Sequence, residues 1–266
     1  MQTNNILDFS RLGKYMALHL SVSMRTYVLG ILAMFGGMSI FSVITIYSNH
    51  TVYSQSDIIP FYYIGMYFIG LLFTSMSFSD FSSKEKSVSF FMLPASSFEK
   101  FITAFLFTSV GFLAVYHLCA YTSFHIIDWG MMHRYDKHIV RDWDFFNADK
   151  GHIYLYYVYI FLHAIFLLGA ISFNKASFIK TLLTACLVPV ALGVINVLFL
   201  YLLFGNNWIQ KPAHLPFVLV AVEKGGNGGV YMISQGMIDT YIFIAKYLLT
   251  PIFWTIAYFR LKDKEI

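Results

Sequence analysis

Charge is scarce in this chain: Asp, Glu, Lys and Arg make up 12% of its 266 residues, about half of the ~25% usual in soluble domains. Cysteine is nearly absent. The two present, Cys119 and Cys186, lie in apolar stretches rather than in polar loops, which excludes a disulfide framework and reads as small apolar positions with free thiols. No Gly-Lys-Ser/Thr phosphate loop, His-Glu-x-x-His pair or Gly-x-Ser-x-Gly elbow occurs, so the chain has no nucleotide-hydrolysing, zinc-protease or hydrolase motif of its own. The N-terminus also lacks the basic start, short apolar core and small-residue cleavage site of a secretory signal. Its first apolar stretch is therefore expected to be a retained anchor.

Long apolar runs are what the chain has instead. Hydrophobic residues are 58% of the sequence, against ~45–50% in soluble domains. Six stretches are uncharged or nearly so, at 26–47, 58–78, 101–122, 152–172, 181–204 and 237–259. A hydrocarbon core of ~30 Å needs ~20 helical residues at ~1.5 Å each, which is the length of these runs. The expected fold is an all-α integral membrane protein with six transmembrane helices in a single domain, 1–266. The connections hold at most about thirty residues, too few for a cytosolic catalytic domain of roughly 100.

The distribution of the basic residues orients the spans. Arg11, Lys14, Arg25, Lys84, Lys86, Lys100, Lys175, Lys180, Arg260, Lys262 and Lys264 fall on one side, eleven in all. The other side has six, Arg134, Lys137, Arg141, Lys150, Lys211 and Lys224, and Lys246 lies inside a span. Cytoplasmic loops carry the Lys/Arg excess, so both termini are expected inside, as an even number of spans requires. The formal charge of +4 is thus a matter of topology, and no nucleic-acid partner is expected.

Before the first span, Phe9, Leu12, Met16 and Leu20 recur at helical spacing beside a mostly polar or basic face with Arg11, Lys14 and Arg25. This predicts an amphipathic helix over about 8–25 on the membrane surface; an early, tilted start to the first span is the alternative. Pro60 falls at the start of the second span, where its missing N–H is harmless, whereas Pro189 and Pro251 fall inside spans and predict kinks.

The loop 79–100 is the most polar cytoplasmic connection. It begins with Phe78-Ser-Asp80, continues through Lys84-Glu-Lys86 and an apolar run Phe90–Leu93, and ends Leu93-Pro-Ala-Ser-Ser-Phe-Glu-Lys-Phe101. Ser96 or Ser97 offers an N-cap for the third helix, with Glu99 in its first turn. A solvated turn accounts for the charges but not for the apolar run. This order of residues resembles the loop after the second helix of bacterial ABC-2-type permeases, the six-span membrane subunits of ATP-binding-cassette exporters. The resemblance implies a coupling helix that docks on a separate ATPase, with Asp80, Lys84, Glu85 and Lys86 as contact residues. It also implies a second permease chain as partner, in a homodimer, and the bacterial inner membrane as location. The chain itself is then expected to be no enzyme and to hold no cofactor, with ATP bound by the partner.

Two outer loops are expected, 123–151 and 205–235. The first holds His125, Asp128, His133, Asp136, His138, Asp142 and Asp144, donor types that suit zinc. Yet Arg134, Lys137 and Arg141 are interleaved and would pair with the acids. The metal candidates are His125, His133, His138 and Asp136, and the alternative function they support is an intramembrane metal-dependent enzyme. The second loop combines Pro212, Pro216, an apolar run at 217–222 and the cluster Gly225-Gly-Asn-Gly-Gly229; a re-entrant segment, a strand and an interfacial loop all fit it. In the sixth span, Asp239 and Lys246 are ionisable groups at costly depth. Seven residues apart, they would share one face of a regular helix, ~10 Å apart along its axis, as a candidate translocation path or as the coupling groups of a self-contained secondary transporter. His117 and His163, in other spans, are expected to be hydrogen-bonded inside the bundle.

Overall fold

The computed structural model describes residues 6–48, 55–82, 88, 90, 92–136, 138, 151–204, 219–224, 227–232 and 234–264. Six of its helical stretches are long and apolar enough to cross a membrane. In chain order the elements are α1 (Phe9–Ser48), α2 (Gln55–Met76), a 3-10 turn (Ser79–Ser82), α3 (Ser97–Leu106), α4 (Phe112–Tyr135), α5 (His152–Ser172), α6 (Ser177–Phe204), strands β1 (Leu219–Lys224) and β2 (Asn227–Met232), α7 (Gln235–Phe243) and α8 (Leu249–Asp263). Single π-helical segments, Phe107–Gly111 and Ile244–Leu248, join α3 to α4 and α7 to α8.

Several boundaries differ from the sequence expectation, each for a local reason. The stretch 8–25 and the first span are one continuous helix of 40 residues, because nothing between Met24 and Tyr27 breaks a helix. At ~1.5 Å per residue it is ~60 Å long, twice the hydrocarbon thickness, so part of it must leave that layer. The second helix begins at Gln55, which puts Pro60 inside it rather than in its first turn. The third span continues to Tyr135 and stops where Asp136 turns left-handed at φ 52°, so the first part of the expected loop 123–151 is helix. The 205–235 connection contains an antiparallel hairpin, with Leu219 opposite Met232 and Lys224 opposite Asn227. A β-branched, valine-rich run and the two-glycine link Gly225-Gly226 favour that pairing. Among the described residues the fold is therefore helical with one small hairpin.

Pro251 follows the π segment before α8. Pro251 cannot donate a backbone hydrogen bond, and its ring crowds the carbonyl four residues earlier, that of Tyr247. Widening the turn at Ile244–Leu248 relieves that crowding.

Helix α5 is the centre of the bundle, packed against α2, α6 and α8. It buries Tyr156, Tyr159, His163, Phe166, Leu167 and Ile171. Gly169 lets α6 approach closely, since a Cβ there would overlap the Thr181 side chain. Helix α1 packs on α4, where the Ser42 and Ser123 hydroxyls meet at 2.6 Å. Small and hydroxylic residues at helix contacts are the expected glue in a bilayer, where apolar burial alone gives little drive. By contrast, most of α6 and much of α1 expose leucine, valine and isoleucine, and α8 exposes Ile252, Ile256 and Phe259, the surface a bilayer solvates.

Contacts between helix ends define the two ends of the bundle. At one end Arg11 meets Glu99, Phe98 meets Tyr258, and Lys264 meets Asn174 and Phe81. Both ends of the described chain and the segments after α2 and α5 thus lie together. At the other end Tyr135 donates to the Ile46 carbonyl, Arg134 covers the Tyr47 ring, and Tyr63 meets His152.

Candidate functional site

The terminal end is built around a buried carboxylate. Ser96 caps α3 in extended conformation, its hydroxyl accepting from the Glu99 amide at 3.2 Å while Glu99 Oε2 accepts from the Ser96 amide at 2.9 Å. This is the capping box that the sequence offers, and it fixes the Glu99 side chain at the helix start. Held there, the carboxylate is fully buried and takes three further hydrogen bonds. Arg11 Nε donates to Oε2 at 2.7 Å and Nη2 to Oε1 at 2.8 Å, and the Asp8 amide donates to Oε1 at 2.8 Å. The Ser96 hydroxyl in turn donates to the Ile6 carbonyl at 2.5 Å. A bidentate guanidinium–carboxylate pair is directional as well as strong, so the start of α1 is locked onto the start of α3.

Beside this lock lies an aromatic cluster. Phe78 and Phe81 stack at 5.5 Å, Phe90 meets the edge of Phe81 at 5.2 Å, and Phe101, Leu167, Ala257 and Leu261 complete the packing. The Lys100 ammonium lies 5.1 Å from the Phe90 ring and the Lys264 ammonium 4.8 Å from the Phe81 ring. The apolar run that a solvated turn could not explain is thus accounted for at Phe90, which packs on α3, α5 and α8. Asp80 lies in the 3-10 turn that starts this connection. Lys84, Glu85 and Lys86 fall outside the described residues, between Phe81 and Phe90.

In the interior, polar side chains form two layers. Tyr62, His117 and Tyr156, from α2, α4 and α5, share a three-way contact: His117 Nε2 is 2.9 Å from each phenol oxygen, and the phenols are 3.2 Å apart. The His117 Nδ1 sits 2.7 Å from the Leu113 carbonyl, which makes Nδ1 the donor and leaves Nε2 to accept. Tyr116 donates to the Tyr62 carbonyl at 2.7 Å. One layer on, His163 Nε2 meets the Thr108 hydroxyl at 3.0 Å in the π segment, among Phe105, Tyr159 and Trp254. The expectation of hydrogen-bonded bundle histidines fits both. A cavity of ≈ 200 Å³, lined mainly by Met34, Met38, Phe41, Phe61, Tyr62 and Phe124, opens between α1, α2 and α4.

The metal candidates are not gathered. Among the described residues no group of three or more His, Cys, Asp or Glu side chains could hold an ion. His138 Nδ1 lies 3.3 Å from Asp128 Oδ1, His125 sits on Tyr121 and His133 on Trp129. Asp136 serves as the end of α4, and Asp142 and Asp144 fall outside the described residues. The span-six charges also stay apart. Asp239 is exposed and accepts from Gln235 at 3.1 Å. Lys246 lies within the π segment Ile244–Leu248. Its ammonium is surrounded by the Tyr157, Tyr247 and Tyr154 rings at 4.7, 5.3 and 5.7 Å.

No family model, curated protein or solved structure matches the chain.

Proposed function

We propose that this chain is the permease subunit of an ATP-binding-cassette exporter in a bacterial inner membrane, with both termini cytoplasmic. It would pair with a second copy of itself and draw energy from a separate ATPase. The observation that carries the reading is the bracing of the 79–96 connection. Its two flanks are tied by the Arg11–Glu99 lock and the Phe78, Phe81, Phe90 cluster to α1, α3, α5 and α8. Flanks held this way would pass force on to those helices, and the segment between them carries the basic residues Lys84 and Lys86, on the side that the Lys/Arg excess assigns to the cytoplasm. Closure of two ATPase subunits would push on this segment and tilt the helices tied to it. The start of α1, with Phe9 strongly exposed beside Arg11, would lie in the headgroup layer, and the apolar faces of α1 and α6 would meet lipid or the second copy.

Co-expression with candidate ATP-binding-cassette ATPases from the same genome tests the reading. A stable complex that Lys84→Glu with Lys86→Glu disperses supports it; a chain that purifies alone from such cells contradicts it.

A further inference from the structure

Lys246 is the charge that the proposed function leaves unexplained. Among the described residues Arg11 pairs with Glu99 and the His138 ring lies beside Asp128, and Asp239, the acid on the same stretch of helix, is held by Gln235. The groups around the ammonium are three neutral rings, Tyr154, Tyr157 and Tyr247. Rings attract a cation through their quadrupole but do not neutralise it. A lysine within a span either pairs with an acid or snorkels to the interface, where lipid headgroups are the nearest anions.

Depth and exposure say what that partner is. Helix α5 has 21 residues, ~32 Å, which matches the hydrocarbon thickness. Tyr154 and Tyr157 are in its first two turns and so lie within ~3–8 Å of the boundary, at the end opposite the termini. All three tyrosines are open to the surroundings, Tyr154 at 57% and Tyr247 at 50% of full exposure. Next to them Phe243, Ile244 and Leu248 are also exposed. An exposed cation set among three tyrosine rings, whose hydroxyls can also donate, with an apolar surface below it, fits the phosphate of a lipid whose chains run down that surface.

We propose that Lys246, Tyr154, Tyr157 and Tyr247 form a binding site for the phosphate group of an anionic phospholipid, in the leaflet opposite the chain termini. The test is native mass spectrometry of the full chain in detergent, titrated with short-chain phosphatidylglycerol, short-chain phosphatidylcholine or inorganic phosphate. Wild type and Lys246→Arg are expected to retain phosphatidylglycerol in preference to phosphatidylcholine, and Lys246→Gln to bind it about fivefold more weakly. A phosphatidylglycerol bearing a photoreactive headgroup gives a second readout that needs no variant. It should label peptides around Tyr154–Tyr157 and Lys246–Tyr247 of the wild type, with inorganic phosphate failing to compete. Equal retention by Lys246→Gln, equal binding of phosphatidylcholine, or displacement of the label by inorganic phosphate would overturn the proposal.

Discussion

Arg11 and Glu99 stand 88 residues apart and meet through two parallel hydrogen bonds of 2.7 and 2.8 Å. The guanidinium is one third exposed and the carboxylate is not exposed at all. The pair is therefore an asymmetric lock: removing the arginine strands a buried charge, while removing the carboxylate frees an arginine that water can reach.

From that asymmetry, Arg11→Ala is expected to lower the melting temperature in detergent more than Glu99→Gln, with shifts on the order of 5 °C for the former. Arg11→Lys should fall between them, because an ammonium cannot reproduce the two parallel bonds. A nanoscale fluorimetry series over the three variants checks the order.

The Tyr62–His117–Tyr156 cluster should behave as a unit. Tyr62→Phe and Tyr156→Phe each remove one phenol, and the double variant should cost less than their sum by about 0.6 kcal/mol, the usual coupling of hydrogen bonds between membrane helices. Unfolding in mixed micelles measures it, and strict additivity would show that the 3.2 Å contact contributes nothing.

At the contact of α5 with α6, Gly169→Ala places a methyl group against Thr181 and is expected to destabilise by about 1–3 kcal/mol through overpacking. Thr181→Ala in the same chain should restore most of the loss. The same unfolding assay reports both.

Topology is open to a labelling test. With Cys119 and Cys186 replaced by serine, a cysteine at Ser82 or Asn174 is expected to react with an impermeant maleimide only from the side on which a C-terminal tag is accessible. A cysteine at Asn227, in the hairpin, should react only from the other side. Labelling of Ser82→Cys and Asn227→Cys from one face would break the even-span arrangement.

Span number and approximate position were legible because the bilayer demands length and lack of charge, and both are local properties. The capping box at Ser96 and Glu99 was legible for the same reason. The far half of α4 was misread because His125, Asp128 and His133 look like loop residues by polarity. Their spacing held the better signal: Tyr121, His125, Trp129 and His133 recur every fourth residue, and successive rings pair along one helical face at 4.4 and 5.1 Å. The Arg11–Glu99 lock and the Tyr62–His117–Tyr156 contact were not legible, since each joins segments that only the tertiary fold brings together.

The central claim is that the braced connection between α2 and α3 receives an ATPase. A photocrosslinking amino acid placed at Lys84, at Lys86 and, as control, at Val222 in the hairpin tests it in cells that co-express a candidate ATP-binding-cassette ATPase. A covalent adduct with the ATPase is expected from positions 84 and 86 and none from position 222. Absence of an adduct at 84 and 86, or adducts of equal yield at all three positions, would contradict it.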